Sequence, residues 1–84
     1  MNIFQVNISL PKHPSDDFVS LLPNQRRIIN ELLQKKILES FALSADKTKA
    51  WAAVNADTAE EVKEIFSRFP LIRYMRIEIL QLSY

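Results

Sequence analysis

Residues 66–82, FSRFPLIRYMRIEILQL, determine how the rest of the chain is interpreted. Their first part continues a helical pattern that Pro70 ends, and an alternating strand pattern follows. Because strand side chains point alternately to the two faces of a sheet, Met75, Ile77 and Ile79 share an apolar face. The other face is mixed, with Ile72, Tyr74, Arg76, Glu78 and Leu80. A face of that kind is more typical of a pocket or an interface than of open surface.

The residues before this stretch alternate between strand and helix patterns. Alternation predicts a first strand over 3–10, which Pro11 and Pro14 end. A helix begins near 15–17, and Pro23 is predicted to break it into a short segment and a longer one over 24–36.

The second half of the chain is predicted to begin with a β-hairpin and to continue with a second helix. Strands are predicted over 37–43 and 49–56, joined by the loop 44–48. Thr58 and Glu61 stand at capping-box spacing and predict the start of a second helix.

The resulting order, βαββαβ, predicts a ferredoxin-like α+β fold in a single domain over 1–84. Right-handed crossovers place both helices on one face of a four-stranded antiparallel sheet. The predicted helix-facing residues are Phe4, Val6, Ile8, Ala50, Ala52, Val54, Met75, Ile77 and Ile79. The opposite face is predicted to carry Ile3, Gln5, Asn7, Ser9, Trp51, Ala53, Asn55, Tyr74, Arg76, Glu78 and Leu80. To this opposite face the second strand adds either Glu39, Phe41 and Leu43 or Leu38, Ser40 and Ala42. The sequence pattern is compatible with both registers.

Composition narrows the classes of function. The chain has 84 residues, a net charge of +1, and neither cysteine nor glycine. A small, nearly neutral chain of this kind is not expected to bind nucleic acid, and no apolar run is long enough to span a membrane. Gly-rich phosphate loops and thiolate metal sites are excluded, and any position with positive φ must hold a side chain. The N-terminus has no signal-peptide pattern, so a cytoplasmic protein is expected.

Trp51 and Tyr74 are predicted to form an exposed aromatic patch on the face that the helices leave bare. Such patches usually mark interaction sites. A second copy of the same sheet would cover the patch, so the sequence predicts a two-fold homodimer.

Two segments resemble a known family. The segment 44–54, SADKTKAWAAV, and the segment 69–79, FPLIRYMRIEI, resemble the muconolactone isomerase-like branch of the dimeric α/β-barrel proteins, whose C-terminal pattern is close to LPLFPYMDIEV. The resemblance covers essentially the whole chain. It implies a homodimer with a barrel-like core, sometimes assembled into rings, that moves a proton within a small lactone without metal or cofactor.

The chain departs from the family pattern at several polar positions. Arg73 replaces a proline and Arg76 replaces an aspartate. In the first strand, Gln5 and Asn7 stand where the isomerases have histidine and lysine. Lys36 and Ala50 stand where relatives often have glycine.

Proton transfer needs a base and hydrogen-bond donors that stabilise an enolate-like state. Glu78 is the candidate base, with Tyr74 as its catalytic partner. The candidate ligand-binding residues are Arg76, Trp51, Asn7 and Gln5. The alternative interpretation is structural: Arg76 and Glu78 pair across the dimer or are solvated, and the aromatic residues pack in the interface. His13 lies between prolines and is interpreted as an exposed loop residue.

Two classes of function therefore remain. The first is a cofactor-free isomerase of small lactones or related acids. The second is a non-catalytic dimeric module that binds a small ligand or a partner. A closed cavity with Glu78 beside a donor would favour the isomerase.

Overall fold

The structure is a computed structural model, and it describes residues 2–83. The elements follow in the order βαββαβ, which confirms the predicted ferredoxin-like α+β fold. The strands are β1 (Asn2–Ser9), β2 (Leu38–Leu43), β3 (Lys49–Ala56) and β4 (Arg76–Gln81), and the helices are α1 (Asp16–Gln34) and α2 (Ala59–Ser67). A 3₁₀ turn, Ile72–Tyr74, precedes β4.

The sheet has the strand order β2-β3-β1-β4, and every neighbouring pair is antiparallel. Side chains from both helices, among them Val62 and Phe66 of α2 and Ile28 and Leu32 of α1, pack against one face of this sheet. All nine residues predicted to face the helices belong to this core: Phe4, Val6, Ile8, Ala50, Ala52, Val54, Met75, Ile77 and Ile79. The face turned away from the helices is called the open face below.

Helix α1 is continuous, so the predicted break at Pro23 is wrong. Pro23 removes only the hydrogen bond to the carbonyl of Val19, and both residues are exposed, so water can reach that carbonyl. Phe18 before the proline and Ile28 after it both pack inward. Packing on both sides of Pro23 therefore holds one helix together.

Lys36 ends the turn after α1 in a left-handed conformation, with φ of 62°. The Lys36 N–H donates to the Leu33 carbonyl at 3.1 Å, and the Ile37 N–H donates to the Leu32 carbonyl at 3.0 Å. This pair of bonds is a Schellman motif, in which glycine usually occupies the left-handed position. A lysine there has a Cβ that crowds the backbone, at a cost of about 1–2 kcal/mol.

Replacing Lys36 by glycine is therefore expected to stabilise the protein. The gain is about 1 kcal/mol, or a rise of roughly 4–8 °C in Tm for a domain of this size. Thermal unfolding followed by circular dichroism measures it. Lys35→Gly is the matched control, because Lys35 has φ of −81° and ψ of −2° and gains nothing from glycine. Its Tm should fall, and a fall for Lys36→Gly as well would contradict the account of the left-handed turn.

Strand β2 contains an irregularity, and for this reason its alternation pattern is compatible with two registers. Leu38 pairs with Val54, but Ser40 pairs with Ala53, so the register shifts between Leu38 and Ser40. The shift is a β-bulge, which places one extra residue in the strand. After the bulge, Phe41 pairs with Ala52 and Leu43 with Ala50, on the helix face. The β2 residues on the helix face are therefore Leu38, Phe41 and Leu43. Leu38 belongs to one of the two predicted alternating sets, and Phe41 and Leu43 belong to the other, so neither set describes the whole strand.

Thr58 caps α2 as predicted, but only half of the capping box forms, because the Glu61 carboxylate accepts from the residue before the N-cap. The Thr58 hydroxyl accepts a hydrogen bond from the Glu61 N–H at 3.2 Å, and a Glu61 carboxylate oxygen accepts one from the Asp57 N–H at 3.3 Å. Helix α2 then buries Val62 and Phe66.

The last strand begins later than predicted, at Arg76. Residues Ile72–Tyr74 form a 3₁₀ turn, in which the Tyr74 N–H donates to the Leu71 carbonyl at 2.9 Å. The Tyr74 ring packs edge-on against Phe18 of α1, with 5.4 Å between the ring centroids. Tyr74 is therefore not in the strand and does not share the alternation of Arg76 and Glu78. The aromatic contact with α1 outweighs the local strand pattern.

Candidate functional site

The open face brings most of the predicted site residues together. Asn7 of β1 pairs with Trp51 of β3 on one side and with Glu78 of β4 on the other. These three residues form one row across three strands, with neighbouring strands about 4.7–4.9 Å apart. Ser9 lies in the adjacent row, between Lys49 and Arg76. An open depression is lined by Asn7, Ser9, Lys49, Trp51, Arg76 and Glu78.

Two amide side chains orient the Glu78 carboxylate. Gln5 Nε2 donates to Asn7 Oδ1 at 3.0 Å, and Asn7 Nδ2 donates to Glu78 Oε1 at 3.0 Å. An ionised carboxylate can only accept hydrogen bonds, so the atom of Asn7 that faces Glu78 is its NH₂ nitrogen. The Asn7 oxygen then accepts from the Gln5 NH₂, which fixes the orientation of both amides. Gln5 and Asn7 of β1 therefore act as positioning groups for Glu78.

Two basic side chains, Lys49 and Arg76, line the same depression as Glu78. The Lys49 ammonium donates to the Ser9 hydroxyl at 2.9 Å. Within residues 2–83, Arg76 takes part in no ion pair, and the side-chain pairs that form are Arg27–Glu31 and Arg68–Glu64 on the helices. The depression on the open face thus presents one acidic and two basic groups to a ligand or to a second protomer.

Tyr74 is the predicted site residue that the fold separates from Glu78. Its hydroxyl accepts a hydrogen bond from Arg73 at 3.1 Å, and the Arg73 guanidinium lies 5.1 Å from its ring centroid. Together with the Phe18 contact, these interactions place Tyr74 on the α1 side of β4. Asn7, and not Tyr74, is the hydrogen-bond donor at Glu78.

A second cavity lies on the helix side of the sheet, where the sequence predicted no site. It measures about 410 Å³ and is bounded by α1, the segment 10–14 and the β2–β3 hairpin. Its lining is mostly apolar, with Ile8, Leu10, Phe18, Leu22, Ile29 and Met75. It is called the helix-side cavity below.

Gln25 is the buried polar residue of the helix-side cavity, and only 4% of its surface is exposed. Its Oε1 accepts a hydrogen bond from the Leu71 N–H at 3.2 Å. A sequence signal for it exists: Phe18, Leu22, Gln25, Ile29 and Leu32 follow the spacing of an inward helix stripe. A polar residue within such a stripe indicates a buried polar contact.

Compared with models of known protein families and with curated protein sequences, the chain matches none. Among residues 2–83, no group of three or more histidine, cysteine, aspartate or glutamate side chains is arranged to hold a metal ion. In that same part of the chain, no helix has the length and apolar character needed to cross a membrane. His13 is exposed in the segment between β1 and α1.

Proposed function

We propose that the protein is a homodimer whose two open faces pack together and enclose a site for a small organic acid or lactone. Trp51 and Leu80 support this proposal, because they leave 43% and 45% of their surface exposed on a face that no helix covers. Large apolar side chains around charged groups are typical of a surface that is buried in a complex. Packing of two such sheets face to face gives a dimeric α/β barrel, from which larger rings can assemble.

The activity that fits this site is a cofactor-free proton shift within the ligand. The Glu78 carboxylate takes a proton from a carbon next to the ligand carbonyl, and the electron pair moves onto the carbonyl oxygen as an enolate. Arg76 and Lys49 supply positive charge for that oxygen or for a ligand carboxylate. Where a carbon–carbon double bond of the ligand is conjugated with the enolate, the protonated Glu78 returns the proton to the far carbon of that double bond, and the enolate electron pair returns to form a shifted double bond. The ligand is thereby isomerised and the protein is unchanged. Asn7 keeps one carboxylate oxygen in place, which leaves the other for the proton.

The second candidate function is a dimeric module that binds the same class of ligand without chemistry. The placement of Tyr74 favours it, because the predicted donor beside the base packs against Phe18 instead. In this alternative Arg76 and Lys49 bind the ligand, and Glu78 contributes to the polar network or to the dimer contact.

Carbon–proton exchange distinguishes the two candidates. Small lactones are incubated with the protein in deuterated water, and deuterium incorporation is followed by NMR. If the protein is an isomerase, Glu78→Gln should lower the exchange rate by about 10²–10⁴-fold, because general base catalysis usually contributes that much. Glutamine keeps the size of the side chain and can still accept from Asn7.

The control for this experiment is Glu60→Gln, which removes an exposed carboxylate on α2 and should leave exchange unchanged. Equal exchange in the unmodified protein and Glu78→Gln would exclude Glu78 as the base. Lactone binding without exchange would favour the binding module.

A further inference from the structure

The helix-side cavity has the form of a ligand site that is separate from the open face. Its volume of about 410 Å³ lies within the range of roughly 300–1,000 Å³ that is usual for small-molecule pockets. Val19 and Leu43 line it and remain exposed. The apolar surface therefore continues from the interior of the cavity to its mouth.

The Gln25 amide gives this apolar cavity an unused hydrogen-bond donor. Because Oε1 is bound to the Leu71 N–H, the group that Gln25 can offer to the cavity is its NH₂. Within residues 2–83, that NH₂ donates no hydrogen bond. No buried side-chain nitrogen or oxygen within residues 2–83 lacks a partner, so this NH₂ is reached from the cavity, and a ligand oxygen placed there can accept from it.

The charged side chains around the cavity determine whether a negatively or a positively charged ligand is favoured. Lys12, Arg26 and Lys47 line it, and Asp46 is the acidic residue among the lining side chains. Asp46 Oδ1 accepts from the Thr48 N–H at 3.0 Å and from the Ser44 and Thr48 hydroxyls, each at 2.7 Å. These bonds, the one from the Thr48 N–H first, lower the pKa of Asp46 to about 2. Asp46 therefore stays ionised, but the three basic side chains outnumber it and leave a net positive mouth.

From these features we infer that the helix-side cavity binds an amphipathic monocarboxylate, with the apolar body against Phe18 and Leu22 and the carboxylate toward Gln25 and Arg26. A carboxylate satisfies both polar features of the site, since it accepts from the amide and balances the basic groups. A neutral alcohol of the same length gains the apolar contacts and can accept from the amide, but it does not balance the basic groups. A cation is repelled by Lys12 and Lys47. The site is complete in one protomer and does not depend on the dimer proposed above.

The test is a titration of isotope-labelled protein with octanoate and with 1-octanol, followed by NMR chemical shifts. Octanoate is expected to shift residues of the cavity and to bind about tenfold more tightly than octanol, because its charged head adds hydrogen bonds. The double variant Lys12→Gln, Arg26→Gln should remove most of that advantage and leave octanol binding unchanged. Val19→Trp, which fills the mouth, should weaken both ligands.

The matched control is Lys63→Gln, which removes an exposed basic group on α2, away from the cavity, and should not change octanoate binding. Glu78→Gln should also leave octanoate binding intact, so failure of the open-face proposal is distinguishable from failure of this one. Equal affinity for octanoate and octanol would overturn the inference, as would octanoate shifts confined to the Trp51 face. Shifts of the cavity residues that depend on protein concentration alone would instead show that a second copy occupies the cavity, and would also overturn it.

Discussion

Replacement of Trp51 by aspartate is expected to convert the proposed homodimer into a monomer. Trp51 lies next to Asn7 on the open face, and in the proposed dimer it becomes buried against the partner sheet. A carboxylate there would be desolvated without a partner, and buried tryptophans often dominate interface energies. The expected loss is about 2–4 kcal/mol of association free energy, or roughly thirty- to several-hundred-fold in Kd. Sedimentation velocity over a concentration series measures it.

The matched control for Trp51→Asp is Val19→Asp. Val19 is also an exposed apolar residue, but it lies on α1, on the other side of the sheet. The same charge introduced there should leave the dimer intact. If the unmodified protein sediments as a monomer at micromolar concentrations, the open-face dimer is wrong.

Phe66→Ala is expected to have the largest effect on the free energy of unfolding. Phe66 is fully buried in the last turn of α2, and its ring centroid lies 4.6 Å from that of Phe69. Truncation of a buried phenylalanine leaves a cavity and costs about 3–5 kcal/mol. A domain of this length has a total stability of about 4–13 kcal/mol, so the variant should lose at least about a quarter of it.

Urea unfolding followed by circular dichroism measures the effect of Phe66→Ala. Lys63→Ala, on the exposed side of the same helix, should change the stability by no more than about 0.5 kcal/mol. A loss below about 1 kcal/mol for Phe66→Ala would mean that α2 is not docked on the sheet through this residue.

The parts of the fold that follow from periodicity could be predicted from the sequence. The alternation in β1 and β3 assigned the buried faces of both strands, since a half-buried strand must alternate. The capping box at Thr58 assigned the start of α2 because its hydrogen bonds join residues close in the chain.

The features that the sequence did not predict depend on contacts between distant residues. Tyr74 leaves the strand pattern because it packs against Phe18, far away in the chain. The bulge in β2 appears only when Leu38 and Ser40 are paired with β3. Pro23 is tolerated because α1 packs on the sheet on both sides of it.

Only part of the candidate site could be predicted from the sequence, because its residues come from different strands. Arg76 and Glu78 lie on one face by alternation, as expected, and Asn7 and Trp51 join them through the pairing of the strands. The hydrogen bond from Asn7 to Glu78 joins residues 71 positions apart, so no local pattern contains it. The helix-side cavity is formed by three separate segments, and its one sequence signal is the polar Gln25 within an apolar helix stripe.

The bulge in β2 also affects how the protein can assemble. Strand β2 is an outer strand of the sheet, so its free side could in principle template another strand. The extra residue between Leu38 and Ser40 interrupts the regular ladder of donors and acceptors that an added strand would need. Sideways growth from the β2 edge into a continuous intermolecular sheet, the first step toward fibrous aggregates, is thereby disfavoured, while association through the broad surfaces of two sheets is unaffected.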